Sequence, residues 1–210
     1  MPSPLGHALG GIAVSWGADL LPGSRAWRAA PSRASLYRRA GGGLTLLCAG
    51  VAAAPDLDLF LMSSHRTATH SVTAVVIVTI VAAIVTGWVT GRFGGYTARV
   101  ALMCGAACAS HVLLDWLGID RHPPFGIQML WPFSATWFIS GADLFAPTEL
   151  HHPLSFSTVR IDLFAMASET VILLPLLLAL WLVRVKTLAR FSPQLTRGDH
   201  PAQQGARPVL

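Results

Sequence analysis

From His70 to Gly91 the chain reads HSVTAVVIVTIVAAIVTGWVTG, without one Lys, Arg, Asp or Glu. Crossing the hydrocarbon core of a bilayer takes roughly 20 apolar residues in a helix, because a backbone in lipid must satisfy its own hydrogen bonds. This stretch therefore predicts a transmembrane helix and sets the class of the chain. Working outward, about Ala98 to Leu117 predicts a second span, and about Ser168 to Val185, containing VILLPLLLALWLV, a third. Two Gly- and Ala-rich segments come earlier, about Leu5 to Leu21 and about Leu44 to Met62. Small residues of this kind let helices pack closely within a bundle. The expected fold is an all-α polytopic transmembrane bundle of about five membrane helices.

Composition agrees with that class. Of 210 residues, 53% are hydrophobic and 12% charged, and mean hydropathy is +0.55. A soluble domain needs more polar surface. The length suits one membrane-embedded domain over residues 1–190. A Pro-, Gln-, Gly- and Arg-rich tail, 191–210, is expected to be disordered and cytoplasmic. The net charge of +5 shows no basic stripe interleaved with aromatics, which argues against nucleic-acid binding. Cys48, Cys104 and Cys108 all lie in apolar stretches, and their odd number does not suggest a disulfide framework. The first residues lack the Lys/Arg-rich start of a signal peptide and are read as part of the mature protein.

Basic residues orient such a bundle. With five crossings, one side receives twelve Lys and Arg and the other only Arg66, Arg121 and Arg160. The basic side is expected to be cytoplasmic. The segment 55–69 and an aromatic-rich loop, 119–167, should then face outward, as in a bacterial-type inner (plasma) membrane.

That topology tests the polar residues. His7 begins the first helix, Asp56 and Asp58 end the second, His65 and His70 precede the third, and His111 and Asp115 lie in the last turns of the fourth. All seven fall at one face. His111 and Asp115 are four apart and share a helix face. Both sit in an apolar helix, where ionisable groups are costly and usually functional. Pro55 ends the regular helix, so Asp56 and Asp58 can turn toward a common centre. Imidazole nitrogen with carboxylate oxygen suits zinc, with manganese or iron as second choices, and seven candidates allow one or two ions.

Gly6-His7, Pro55-Asp56-Leu57-Asp58, His65-Arg66-Thr67-Ala68-Thr69-His70-Ser71, Ser110-His111 through Asp115, and Leu130-Trp131-Pro132-Phe133 together resemble the YdjM-like family of membrane-bound metal-dependent hydrolases. The resemblance covers about residues 5–133. It departs from the family pattern at Leu59, where a histidine is often found, and at Thr67 and Ala68, in place of a Gly and an aromatic. In motif order alone the chain is also similar to zinc-dependent phospholipase C, which would suggest a phosphate ester or lipid headgroup as substrate.

The expected function is an integral membrane hydrolase. His7, Asp56, His65, His70, His111 and Asp115 would hold a divalent metal that activates water toward an ester, phosphoester or amide. Asp58 would act as general base or support the ligands, and Arg66 would stabilise developing negative charge, or else contact headgroups or form a salt bridge. Membrane lipids are the expected partners, with a lipid or phosphoester substrate. His122, Asp143, Glu149, His151 and His152 are spare candidates in the loop, and Glu169 is read at the start of the last helix, where a carboxylate suits the dipole or could approach the metal. Two rivals stay open. A transporter would place polar groups near the bilayer midplane, and a non-catalytic scaffold would use metal only for stability.

Overall fold

The computed structural model describes residues 1–21, 36–61, 65–121, 123–149 and 155–195. Five principal helices are present: α1 (Pro4–Ala18), α2 (Gly42–Ala53), α3 (Val72–Thr90), α4 (Gly95–Leu117) and α5 (Phe156–Leu195). Short helical turns lie at Leu36–Arg39, Ala54–Leu57, Asp58–Leu61 and Ala68–His70. No strand occurs among the described residues. The protein is an all-α bundle with three helices long and apolar enough to cross a membrane: Val72–Thr90, Gly95–Leu117 and Phe156–Lys186.

The first two helices are shorter than the sequence reading implied. At 1.5 Å per residue, α1 and α2 are only about 22 and 18 Å long, less than the hydrocarbon thickness. The regular part of α2 stops at Ala53 because Pro55 follows, and the chain tightens into a 3-10 turn over Ala54–Leu57. The last helix differs the other way. It begins at Phe156 rather than near Ser168, so the loop placed at 119–167 ends by residue 155. It also continues through residues 191–195, at the start of the segment expected to be disordered, while 196–210 lie outside the described residues. Hydropathy marks the part of a helix that meets lipid, and Arg160 and Asp162 lower it without breaking the helix.

Burial separates the roles of the spans. The α4 span is 61% buried and that of α3 only 6%, so α4 is the spine of the bundle and α3 an outlying helix with apolar sides such as Ile77, Ile80 and Ile84 exposed. Helix α1 packs against α2, α4 and α5, while α3 runs along α4. Close approach depends on glycine. A Cβ on Gly11 would lie 2.3 Å from the Cys48 carbonyl oxygen, and one on Gly105 would lie 2.0 Å from Thr79 Oγ1. Cys48, Ala52, Met103 and Ala107 form the seam between α2 and α4. All three cysteines are buried and none is in a disulfide.

The two ends of the bundle are fastened differently. At one end, the Asp19 carboxylate accepts from Arg99 Nη2 and Arg184 Nε, each at 2.7 Å, tying the end of α1 to α4 and α5. Arg184 also donates to the Arg39 carbonyl. At the other end, the segment after α4 folds back over the helix termini. Ile119 N donates to Phe145 O, Ile127 and Phe138 exchange backbone hydrogen bonds, and Gln128 N donates to Arg66 O. Val72 N donates to Met129 O, which pins this cover to the start of α3.

Candidate metal centre

Each helix end brings one or two polar side chains to the covered end of the bundle. Ser3 caps α1, with Gly6 N donating to its hydroxyl, and Pro4 opens the helix. His7 follows one turn on. Glu169 fixes this terminus from α5: its carboxylate accepts from Ser3 N at 2.7 Å and from the Ser3 hydroxyl. The sequence reading put Glu169 at the start of the last helix, but it lies well inside α5, fully buried, and serves the positive end of α1 instead. The 3-10 turn after α2 presents Asp56, the helical turn that follows opens with Asp58, the turn Ala68–His70 presents His70, and the last turns of α4 present His111 and Asp115.

These groups converge. Asp115 lies 3.4 Å from His7 Nε2, 3.4 Å from His70 Nε2 and 3.1 Å from His111 Nε2. Asp56 lies 3.7, 3.5 and 3.7 Å from the same three nitrogens. The His7 and His111 rings stack with centroids 3.8 Å apart. Two ligand sets are compact enough to share an ion, His7 with His111 and Asp115, and Asp56 with His65 and His70, each with ligand atoms within 4.8 Å of one another. His70 faces both carboxylates and joins the two sets.

The spacing identifies what these atoms suit. Most of the separations exceed the 2.7–3.2 Å of a hydrogen bond. Two ligands bound to one zinc at about 2.0–2.2 Å in tetrahedral geometry sit roughly 3.3–3.5 Å apart. The three Nε2 atoms and both Asp115 oxygens are buried and have no hydrogen-bond partner. Orphaned polar groups in an apolar helix end are expensive unless something satisfies them. The residues fit a divalent cation.

The far sides of the rings are also arranged. His111 Nδ1 lies 2.7 Å from the Ala52 carbonyl, which fixes the N–H there and turns Nε2 inward. Asp58 points at the outer ring atoms: its carboxylate meets His65 Nδ1 and the Thr69 hydroxyl, and lies 3.4 Å from His70 Nδ1. Thr69 Oγ1 is 2.9 Å from His70 Nδ1, so the hydroxyl accepts from the imidazole and donates to Asp58. Burial alone would raise the Asp58 pKa. The hydrogen bonds from His65, His70 and Thr69 outweigh it and hold the carboxyl well below the usual carboxylate range. Burial would lower the His70 pKa, but Asp56 and Asp58, helped by the charge of Asp115, push it up to about 9.

Residues 1–193 match the sequence model of the YdjM inner membrane protein family. The chain belongs to this family. No curated protein and no solved structure matches the chain. Within this family member the six residues read as ligands, His7, Asp56, His65, His70, His111 and Asp115, all lie at one end of the bundle in two touching groups. For Asp58 and Arg66 the packing matches the supporting alternatives of the sequence reading. Asp58 does not face the centre as a free base, since its oxygens are engaged by His65 and Thr69. The Arg66 guanidinium pairs with Asp120, which also accepts from Gly126 N at 2.8 Å, so Arg66 fastens the cover. His122, His151 and His152 lie outside the described residues.

Sequence reasoning missed Thr69, the Ala52 carbonyl and Asp120. Thr69 stands inside the His65–Ser71 motif and could have been found there. A backbone carbonyl carries no residue signal, and Asp120 is one loop acid among several.

Proposed function

We propose that this membrane protein is a metal-dependent hydrolase acting on an ester or phosphoester, with lipid or lipid-linked molecules as substrates. One observation carries the reading: five side chains from four elements face one another across 3.1–3.7 Å, and the facing atoms of His7, His70, His111 and Asp115 are buried without a hydrogen-bond partner. His7, His111 and Asp115 would hold one divalent ion, and Asp56, His65 and His70 a second or a second face of the first. Zinc suits this donor set best, with manganese or iron next. A divalent ion bound there supplies Lewis acidity and brings the pKa of water to about 7.

The chain's own residues do the rest. Asp58, Thr69 and the Ala52 carbonyl hold His65, His70 and His111 in the ligating orientation. Burial of His7, His70, His111 and Asp115 shields these ligands from water. Asp56 and His65 form its accessible edge, with side chains 17% and 19% exposed. An accessible edge favours catalysis over a closed structural site, where every position is taken by protein. Position at helix ends rather than mid-span favours an enzyme over a transporter. The bias of basic residues supports an extracytoplasmic centre and a cytoplasmic C-terminus. A topology reporter inserted after residue 145 should read extracytoplasmic.

The test is purified protein in detergent, assayed for metal content and for hydrolysis of phosphodiester and carboxyl-ester lipid panels. Turnover that is lost on chelation and restored by zinc supports the enzyme. Stoichiometric metal without turnover on any panel member would replace it with the scaffold reading.

A further inference from the structure

The end of the bundle that carries the candidate metal centre also holds a cavity of about 630 Å³, between the segment after α4 and the first turns of α5. Its volume is in the range of pockets that enclose a small molecule or headgroup. Ile119, Ala146 and Pro147 form one wall. Phe156, Arg160, Ile161 and Phe164, at helical spacing, form the other, and Arg121 also lines the cavity. The cavity thus combines two guanidinium groups with an aromatic and aliphatic floor.

Among the described residues the charges are unanswered. This end of the bundle carries three arginines, and Arg66 is paired with Asp120. Arg121 and Arg160 are exposed, and neither has an ion pair or hydrogen bond among the described residues. The apolar floor is equally unanswered. Phe156 is 87% exposed and Phe164 69%. Below Phe164 the exposed face continues through Val171 and Leu178, each seven residues on, along the flank of α5.

Depth along α5 locates the cavity. Arg184, buried with Asp19, marks the opposite end of the bundle. From Arg160 to Arg184 the helix is about 36 Å long, slightly more than the hydrocarbon core of about 30 Å. Arg160 therefore stands at headgroup level while Phe164, Val171 and Leu178 descend into the acyl region.

We propose that this cavity binds an anionic phospholipid, with Arg121 and Arg160 holding the phosphate and an acyl chain lying along Phe164, Val171 and Leu178. Two charge-assisted contacts match a phosphate, and the stripe below matches a tail. A free phosphate would use the arginines and leave the stripe without function. The inference does not depend on the hydrolase reading, since a bound lipid is recognised whether or not it is cleaved.

The experiment compares full-length protein in nanodiscs and by native mass spectrometry with phosphatidylglycerol, phosphatidylcholine and inorganic phosphate. The wild type should bind phosphatidylglycerol at least about tenfold more tightly than phosphatidylcholine, as expected for charge-assisted hydrogen bonds. The double variant Arg121→Gln/Arg160→Gln should lose that preference while keeping wild-type metal content, and Arg121→Lys/Arg160→Lys should retain part of it. Leu178→Gln should weaken phosphatidylglycerol without changing any phosphate binding. A preference that survives in the glutamine variant overturns the site. Inorganic phosphate that competes as well as the lipid overturns the lipid assignment. If the double variant loses metal, the single variants decide, and full preference in both refutes the proposal.

Discussion

Replacing Asp58 by Asn is the most discriminating perturbation of the metal centre. Asn is nearly isosteric, so the short helical turn at Asp58–Leu61 should persist. What changes is the acceptor facing His65 Nδ1 and the Thr69 hydroxyl. An amide presents one acceptor oxygen where the carboxylate presents two, and it carries no charge to support the imidazoles. Outer partners of metal-bound histidines are typically worth 10- to 100-fold in affinity. The expected loss is thus about 1.4–2.7 kcal/mol. Asp115→Asn should behave differently, because Asp115 faces three imidazole nitrogens from inside the cluster. Its removal is on the scale of breaking a buried ion pair, about 3–5 kcal/mol. The assay is competition against a calibrated chelator, with elemental analysis of the purified variants. Equal losses in the two variants would make Asp58 a ligand, and an unchanged affinity in Asp58→Asn would refute its orienting role.

Three further outcomes follow from the geometry. Without metal, His70 is protonated at neutral pH, since its pKa of about 9 exceeds the ordinary 6.5. Its stabilising charge is fully present below 6.5 and is lost as pH rises through about 9. Metal uptake must expel that proton, so affinity should rise about tenfold per pH unit from neutrality up to about 9; a flat calorimetric profile would contradict it. Gly11→Ala sets a Cβ 2.3 Å from the Cys48 carbonyl, and forcing α1 and α2 apart should cost about 1–3 kcal/mol in thermal unfolding in detergent. Arg184→Ala leaves Asp19 with a partner missing at the far end of the bundle and should destabilise by about 3–5 kcal/mol, while metal affinity per folded molecule stays within about twofold.

The class of the protein was legible in the sequence because hydrophobic length is a local property. Residues 70–91 announce a span without reference to anything else, and α3 and α4 appear close to where the sequence places them. The clustering of the candidate ligands was legible for a related reason. Charged and imidazole side chains are scarce in apolar helices, so His111 and Asp115 stand out, and the motifs around Pro55 and His65 supply the rest. Helix ends were less legible. A polar first turn hid the start of α5 at Phe156, and α1 and α2 proved too short to cross unaided.

What tertiary structure alone decided is direction. Spacing puts Asp58 near the centre, yet only the packed arrangement turns it to the outer nitrogens of His65 and His70 rather than inward. Arg66 reads equally well as an anion stabiliser or as half of a salt bridge until the folded cover brings Asp120 against it. Glu169 reads as a helix start until α5 lies beside α1 and the carboxylate meets Ser3. A sequence fixes which groups exist and how far apart they lie along one element. Which atom faces which depends on contacts between elements distant in the chain, and those exist only once the bundle has closed.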